Sequence, residues 1–385
     1  MTGTRTRLIV HIGGAKCGST AIQNFMADNR NRLDKSGFIV PNSAVTSDLG
    51  GQADQVWFFH QLGGGLDLRD EWPQDLVLSS TAKAASHLRR VKFNSRMRRQ
   101  RLGEDLTQRS TILLSAENLS NPNGLSQIFK GLPRDFAVEI VLYIRRQEEM
   151  FMSGWQQWFM KINGDLDKWI ARTDGFFCDW KQTITDWESV GAHRFTVRLF
   201  DRASLDGGDV VKDFCHIVGL DPAEYLIAKN ETNVSHGVHI ARLIHDCRVM
   251  YEDEHDTFFE HLLFRLEIPA ASKRPNEILF TPDQLRVIRS RFADGNAWIR
   301  ARYFPDLERP DLFPELDYSV SSCPDQAEVN RRNCEVLDQI LQKVPIDPGT
   351  LPAIDQAADP AVMRAQIAAA TIELVSRLKR EGHAG

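Results

Sequence analysis

Four short apolar runs constrain this chain most strongly: RLIVHIG at 7–13, TILLSAE at 111–117, EIVLYIRR at 139–146 and RFTVRLF at 194–200. Each is rich in β-branched residues and continuous rather than alternating. Strands read this way when helices cover both faces of a parallel sheet. A fifth run, GFIVP at 37–41, is shorter and ends in proline, which suits a sheet edge. Helical patterns over 19–34, 147–162, 179–190 and 208–218 separate the runs. The alternation predicts an α/β fold, a doubly wound parallel sheet flanked by helices.

Strand signals fade from residue 236. Helical patterns at 236–252 and 361–381 flank a proline-bearing stretch at 304–326. With 385 residues, the expected organisation is a core over 1–235 and a helical C-terminal region over 236–385 packed on it. The core carries a long insertion, 42–108, which ends in the basic run RRVKFNSRMRRQR from Arg89 to Arg101. Such insertions often carry substrate specificity in α/β proteins. The ordinary reading of the basic run is a solvated face paired with Glu104 and Asp105.

Charge excludes some functions. Lys and Arg number 47 against 52 Asp and Glu, a net −5, so no global basic field recruits nucleic acid or an anionic membrane. The N-terminal apolar run is too short for a signal peptide, and no stretch approaches the ~20 apolar residues of a bilayer span. Cys17, Cys178, Cys215, Cys247, Cys323 and Cys334 are scattered, without a Cys-x-x-Cys pair. They read as reduced thiols. A cytoplasmic protein is the expectation, which leaves the sequons at Asn118, Asn230 and Asn233 without meaning.

The stretch HIGGAKCGSTAIQ at 11–23 joins the first strand to the first helix. That order places the backbone N–H groups of residues 15 to 20 at a helix N-terminus, where unpaired donors and the helix dipole favour an anion. Gly13, Gly14 and Gly18 allow the backbone to wrap closely, Lys16 adds a mobile charge, and Ser19 and Thr20 add hydroxyl donors. The spacing is not that of the Walker A motif, whose lysine follows the last glycine directly. Here Lys16 precedes Gly18 by two residues.

The pattern G-x-x-K-x-G-S-T from Gly13 to Thr20 resembles the 5′-phosphosulfate loop of sulfotransferases that use 3′-phosphoadenosine 5′-phosphosulfate. A second signature of that family, a strand ending in arginine with a serine eight residues on, is matched by Arg145 and Ser153 in LYIRRQEEMFMSGWQQ. LLSAENLS at 113–120 and VRLFDRASLDGGDVVKDFCHIVGL resemble further segments of the bacterial and carbohydrate-type members. The likeness spans roughly residues 7–236 and is patchy over 42–108. One departure is Ala21, where many relatives carry a tryptophan that stacks on adenine.

The resemblance implies a P-loop-like fold and transfer of a sulfuryl group to an acceptor hydroxyl, preferably of a carbohydrate or glycoconjugate. The donor would be held by Gly14, Ala15, Lys16, Cys17, Gly18, Ser19 and Thr20 at its 5′ side, and by Arg145 and Ser153 at its 3′-phosphate. Charge develops on the departing 5′-phosphate, so Lys16 is the expected transition-state stabiliser, and no metal is called for. Glu117, at the carboxyl end of its strand, is the first candidate for general base, with His60 in reserve. Alternation along a strand turns Arg146 away from Arg145's ligand, towards Glu148 or Glu149.

Bland readings stand beside these. Glu117 equally suits a strand-end carboxylate paired with a cation. Trp155, Trp158 and Phe159 read first as core and second as a sugar-stacking surface. His236, His239 and His245 lie at helical spacing but read as core or interface before metal ligands. Two rival functions remain: a P-loop kinase or other NTP-dependent transferase, which would want Mg²⁺, and a non-catalytic nucleotide- or glycan-binding protein on the same fold. Expected partners are a small-molecule or glycan acceptor, without nucleic acid or a membrane span, and a homo-oligomer stays open.

Overall fold

The computed structural model describes residues 6–14, 16–40, 111–120, 126, 129–130, 136–161, 165–172, 178–228, 237–253, 256–273, 277–314 and 323–382. The insertion 42–108, with His60 and the basic run, lies outside the described residues. The chain divides into two compact units, 1–150 with 175–230 and 292–313, and 151–174 with 231–291 and 314–385. The division is therefore not a single cut near residue 235.

The first unit is built on five parallel strands, β1 (Thr6–His11), β2 (Phe38–Ile39), β3 (Thr111–Ser115), β4 (Phe136–Ile144) and β5 (Arg194–Leu199). Their order across the sheet is β2-β3-β1-β4-β5. Every residue of β3 is buried, as are the last five of β4, which is why these runs are apolar without alternation. The proline-terminated run forms only the two-residue edge strand β2.

Helices α1 (Ser19–Asp28) and α2 (Arg30–Lys35) replace the one helix expected over 19–34. The break falls at Asn29, whose buried side chain donates to the carbonyls of Phe25 at 3.0 Å and Leu226 at 2.7 Å and accepts from the Leu226 N–H at 2.8 Å. A polar group able to bond a distant backbone in both directions competes with helix continuation. The helix expected over 147–162 also divides. It runs as α3 (Gln147–Gly154) and widens into a π turn at Trp155–Phe159, closed by the Met160 N–H on the Trp155 carbonyl at 2.9 Å.

Helix α4 spans Leu166–Arg172, α5 Trp180–Glu188 and α6 Val210–Val218. The motif DVVKDFCHIVGL specifies α6 at both ends. Asp209 caps the N–H groups of Val211 and Lys212, and Gly219, at φ 89°, turns the chain out while Leu220 N–H bonds the Cys215 carbonyl at 2.8 Å.

Odd-numbered residues of β1 and β4 share the face that α6 covers. Arg7 pairs with Glu139 and donates to the Val218 carbonyl at 2.8 Å, while the Tyr143 hydroxyl donates to Asp213 at 2.8 Å. Asp213 is fully buried and also accepts from Arg198 of β5 and from the Asp206 N–H. A buried carboxylate with all of these donors ties β4, β5 and α6 together. Losing one partner would strand a charge in the core.

The second unit is helical, with α7 (Val238–Asp246), α8 (Phe258–Arg265), α10 (Gln326–Leu341) and α11 (Pro360–Arg380); α9 (Pro282–Tyr303) runs through 291, where the division falls. Trp155 and Phe159 belong to this unit's core, against His245 and Trp169 at ring-centroid distances of 6.2 and 5.3 Å. Lys161, also buried, pairs with Glu260 at 2.6 Å. These contacts explain why 151–174 groups with residues far along the chain. None of the six cysteines, all of them among the described residues, is in a disulfide. No helix among the described residues is long and apolar enough to cross a membrane.

Candidate functional site

Strand order locates the site before any side chain is considered. The connection leaving β1 runs to β2 on one side of the sheet, whereas the connection leaving β4 runs to β5 on the other. The carboxyl ends of β1 and β4 therefore flank a switch point, where open α/β sheets leave a crevice for ligands. The glycine-rich turn follows β1, and Arg145 follows β4.

The turn is wound through the left-handed region. Gly13, Gly14 and Gly18 have φ of 75°, 144° and 80°, and Lys16, which is not glycine, has φ 61°. A left-handed conformation costs an ordinary residue about 1–2 kcal/mol, and its retention beside a ligand crevice is a functional signal. Gly14 is irreplaceable for a second reason. A Cβ there would lie 2.7 Å from the Tyr143 carbonyl oxygen, a backbone atom of β4. The turn closes with the Cys17 N–H on the Gly14 carbonyl at 2.9 Å.

Gly18 is the N-cap of α1 and brings no capping side chain, so its first-turn N–H groups face the turn with the helix dipole behind them. The neighbouring side chains diverge. Cys17 and Ser19 are buried, Lys16 is half-buried and Thr20 is exposed. Cys17 contributes its backbone to the turn and its thiol to the core. Ala15 and the side chain of Glu117 lie outside the described residues; Glu117 begins a 3₁₀ turn, Glu117–Ser120, directly after β3.

Arg145 is fixed from three sides. Its carbonyl accepts the Trp180 indole N–H at 2.7 Å, its Nη1 donates to the Lys16 carbonyl at 3.1 Å, and its Nε pairs with Glu149 at 2.6 Å. The guanidinium also lies 5.7 Å from the centroid of the Phe200 ring, which follows β5 and abuts Gly18. Sequence reasoning offered Arg146 either Glu148 or Glu149; of the two, Glu149 pairs with Arg145. The residue reading took Arg145 for a ligand-binding side chain only. Its hold on the Lys16 carbonyl also supports the strained residue of the turn.

Ser153 lies on α3, four residues beyond Glu149, and belongs to the second unit. Among the histidines, His239 Nε2 is within 2.8 Å of the Ala270 carbonyl oxygen, and His236 lies outside the described residues. Among the described residues no three His, Cys, Asp or Glu side chains group as metal ligands.

Sequence reasoning passed over His11, the last residue of β1. It is fully buried, its Nδ1 lies 2.8 Å from Ser115 Oγ at the end of β3, and its ring meets Tyr143 and Phe214 edge-on. Its position two residues before Gly13, where the turn begins, was the available signal. Burial pushes its pKa down from 6.5 to about 3, so the ring beneath the turn is neutral. Between those values an unfolded chain holds a proton that the folded chain excludes. The stability His11 contributes is therefore complete above pH 6.5 and lost on acidification towards 3. His11→Asn, which keeps a polar atom near Ser115 and does not titrate, is expected to flatten the acid slope of stability by up to about 1.4 kcal/mol per pH unit. Urea unfolding across that range measures it; an unchanged slope would mean that the ring is hydrated.

No protein-family model matches the chain, and no curated protein or solved structure matches it.

Proposed function

We propose that the chain is a sulfotransferase that moves a sulfuryl group from 3′-phosphoadenosine 5′-phosphosulfate to an acceptor hydroxyl, with a carbohydrate or glycoconjugate as the preferred acceptor class. The observation that carries the reading is the turn of residues 13–18, with Lys16 held left-handed at the switch point by Arg145 from the neighbouring strand end. A P-loop-like fold is part of the same reading. Its support is the parallel order β2-β3-β1-β4-β5 with the glycine turn directly after the central strand.

The donor's 5′ side suits the turn because backbone N–H groups, the α1 dipole and the Lys16 ammonium act on the same anion. Lys16 would stabilise charge growing on the departing phosphate oxygen. Arg145 would receive the 3′-phosphate with a planar fork matched to two phosphate oxygens. Glu117, with His60 in reserve, would accept the proton of the acceptor hydroxyl. The reaction needs no metal for proton transfer or for charge neutralisation, since both tasks fall to side chains.

Calorimetric titration with adenosine 3′,5′-bisphosphate, and in parallel with ATP and Mg²⁺, tests the donor. Binding of the bisphosphate is expected, with a loss of about tenfold or more on Arg145→Ala, since a charge-assisted pair to phosphate contributes about 1.5–3 kcal/mol. Binding of ATP with Mg²⁺ alone would replace the sulfotransferase by an NTP-dependent transferase. Binding of the bisphosphate without turnover of the donor would favour a non-catalytic nucleotide-binding protein.

A further inference from the structure

We propose that Glu149 is an internal competitor for the anion that Arg145 receives, and that this competition lowers the affinity of ligands bearing a phosphate at that position and of no others. The proposal rests on the donor reading above. Glu149 Oε2 lies 2.6 Å from Arg145 Nε, in a pair whose side chains are 25% (Arg145) and 35% (Glu149) exposed. The pair is open to solvent, so a ligand can reach it. The rest of Arg145 is not free to follow a departing partner. Its carbonyl is fastened by Trp180 and its Nη1 by the Lys16 carbonyl.

A ligand phosphate therefore meets a guanidinium that is already aimed, with a carboxylate bound to it. Glu149 meets the fork at Nε, and a phosphate oxygen can take the same donor. The two anions differ in charge. A phosphate monoester carries about two negative charges near neutral pH and a carboxylate one, so exchange favours the phosphate. Once displaced, Glu149 keeps a favourable place in the first turn of α3, where the helix dipole stabilises an acidic side chain. The displaced state is thus accessible without unfolding the helix.

A ligand lacking that phosphate leaves the Arg145 pair intact and gains nothing from it. Glu149 consequently tempers the preference for phosphate-bearing ligands: the energy of breaking the pair falls on every ligand that uses Arg145 and on no other.

Calorimetric titration of the full chain with adenosine 3′,5′-bisphosphate and with adenosine 5′-monophosphate tests this, using wild type, Glu149→Gln, Arg145→Ala and the double variant. Glu149→Gln is expected to tighten the bisphosphate about three- to fivefold, the range an exposed ion pair supplies, and to change the monophosphate by less than about twofold. In the Arg145→Ala background the same substitution is expected to change neither ligand. Equal tightening of both ligands would reduce Glu149 to a general repulsive charge, and unchanged or weaker bisphosphate binding would make the pair purely structural; either overturns the proposal. Wild type that binds neither ligand would instead overturn the donor reading, and the competition with it.

Discussion

Lys16→Ala is expected to lower donor turnover by about 10²- to 10³-fold, the range found when one preorganised donor to a developing oxyanion is removed, or about 2.7–4 kcal/mol of barrier. Binding of adenosine 3′,5′-bisphosphate should weaken far less, by no more than about tenfold, because on the proposed sulfotransferase reading the backbone N–H groups of the turn and Arg145 would still hold both phosphates. The contrast follows from when the charge appears. In the proposed donor complex the bridging oxygen would share its charge with the sulfuryl group, and only as that bond breaks would the full charge fall on the phosphate assigned to Lys16. Release of the bisphosphate from labelled donor in the presence of mixed carbohydrate acceptors reads the rate, and calorimetry reads the binding. Equal losses in rate and binding would remove the transition-state role and leave Lys16 as a phosphate ligand.

Gly14→Ala carries the second large expectation. The added methyl would stand 2.7 Å from the Tyr143 carbonyl oxygen, at a φ of +144° that other residues rarely adopt. Tyr143 cannot give way, because it lies within the buried run of β4 and its hydroxyl is engaged on Asp213. The turn must lift off the strand. A stability loss of about 2 kcal/mol or more is expected in urea unfolding, together with loss of bisphosphate binding well beyond what that destabilisation explains at temperatures where the variant stays folded. Wild-type stability would mean that the turn has another conformation in solution. Gly18→Ala is the milder counterpart, since the added methyl meets the side chains of Phe200 and Val210 rather than backbone.

The core of the fold was legible in the chain because burial on both faces leaves a direct mark on composition. The runs at 7–13, 111–117, 139–146 and 194–200 each contain the observed strand or most of it, and the edge character of 37–41 followed from Pro41. Helix continuity was less legible. Asn29 and the π turn at Trp155–Phe159 interrupt helices through interactions with residues remote in sequence or through the side chains they bury, and periodicity reports neither. The compact units were hidden for the same reason: whether 151–174 groups with residues before or after it depends on what its aromatic side chains meet.

The candidate site divides along a similar line. Sequence alone determined that a glycine-rich turn with one lysine joins a buried strand to a helix, and that an arginine ends another strand, because those features depend on residues adjacent in the chain. Tertiary structure decided that the two strands are neighbours on either side of the switch point, that Lys16 is held left-handed by a bond from Arg145, and that Glu149 occupies that arginine. It also decided that His11 is a neutral, buried base under the turn. Local pattern fixes conformation over a few residues, whereas the pairing of strand ends more than a hundred residues apart, and the burial that sets a side chain's charge, exist only once the sheet has closed.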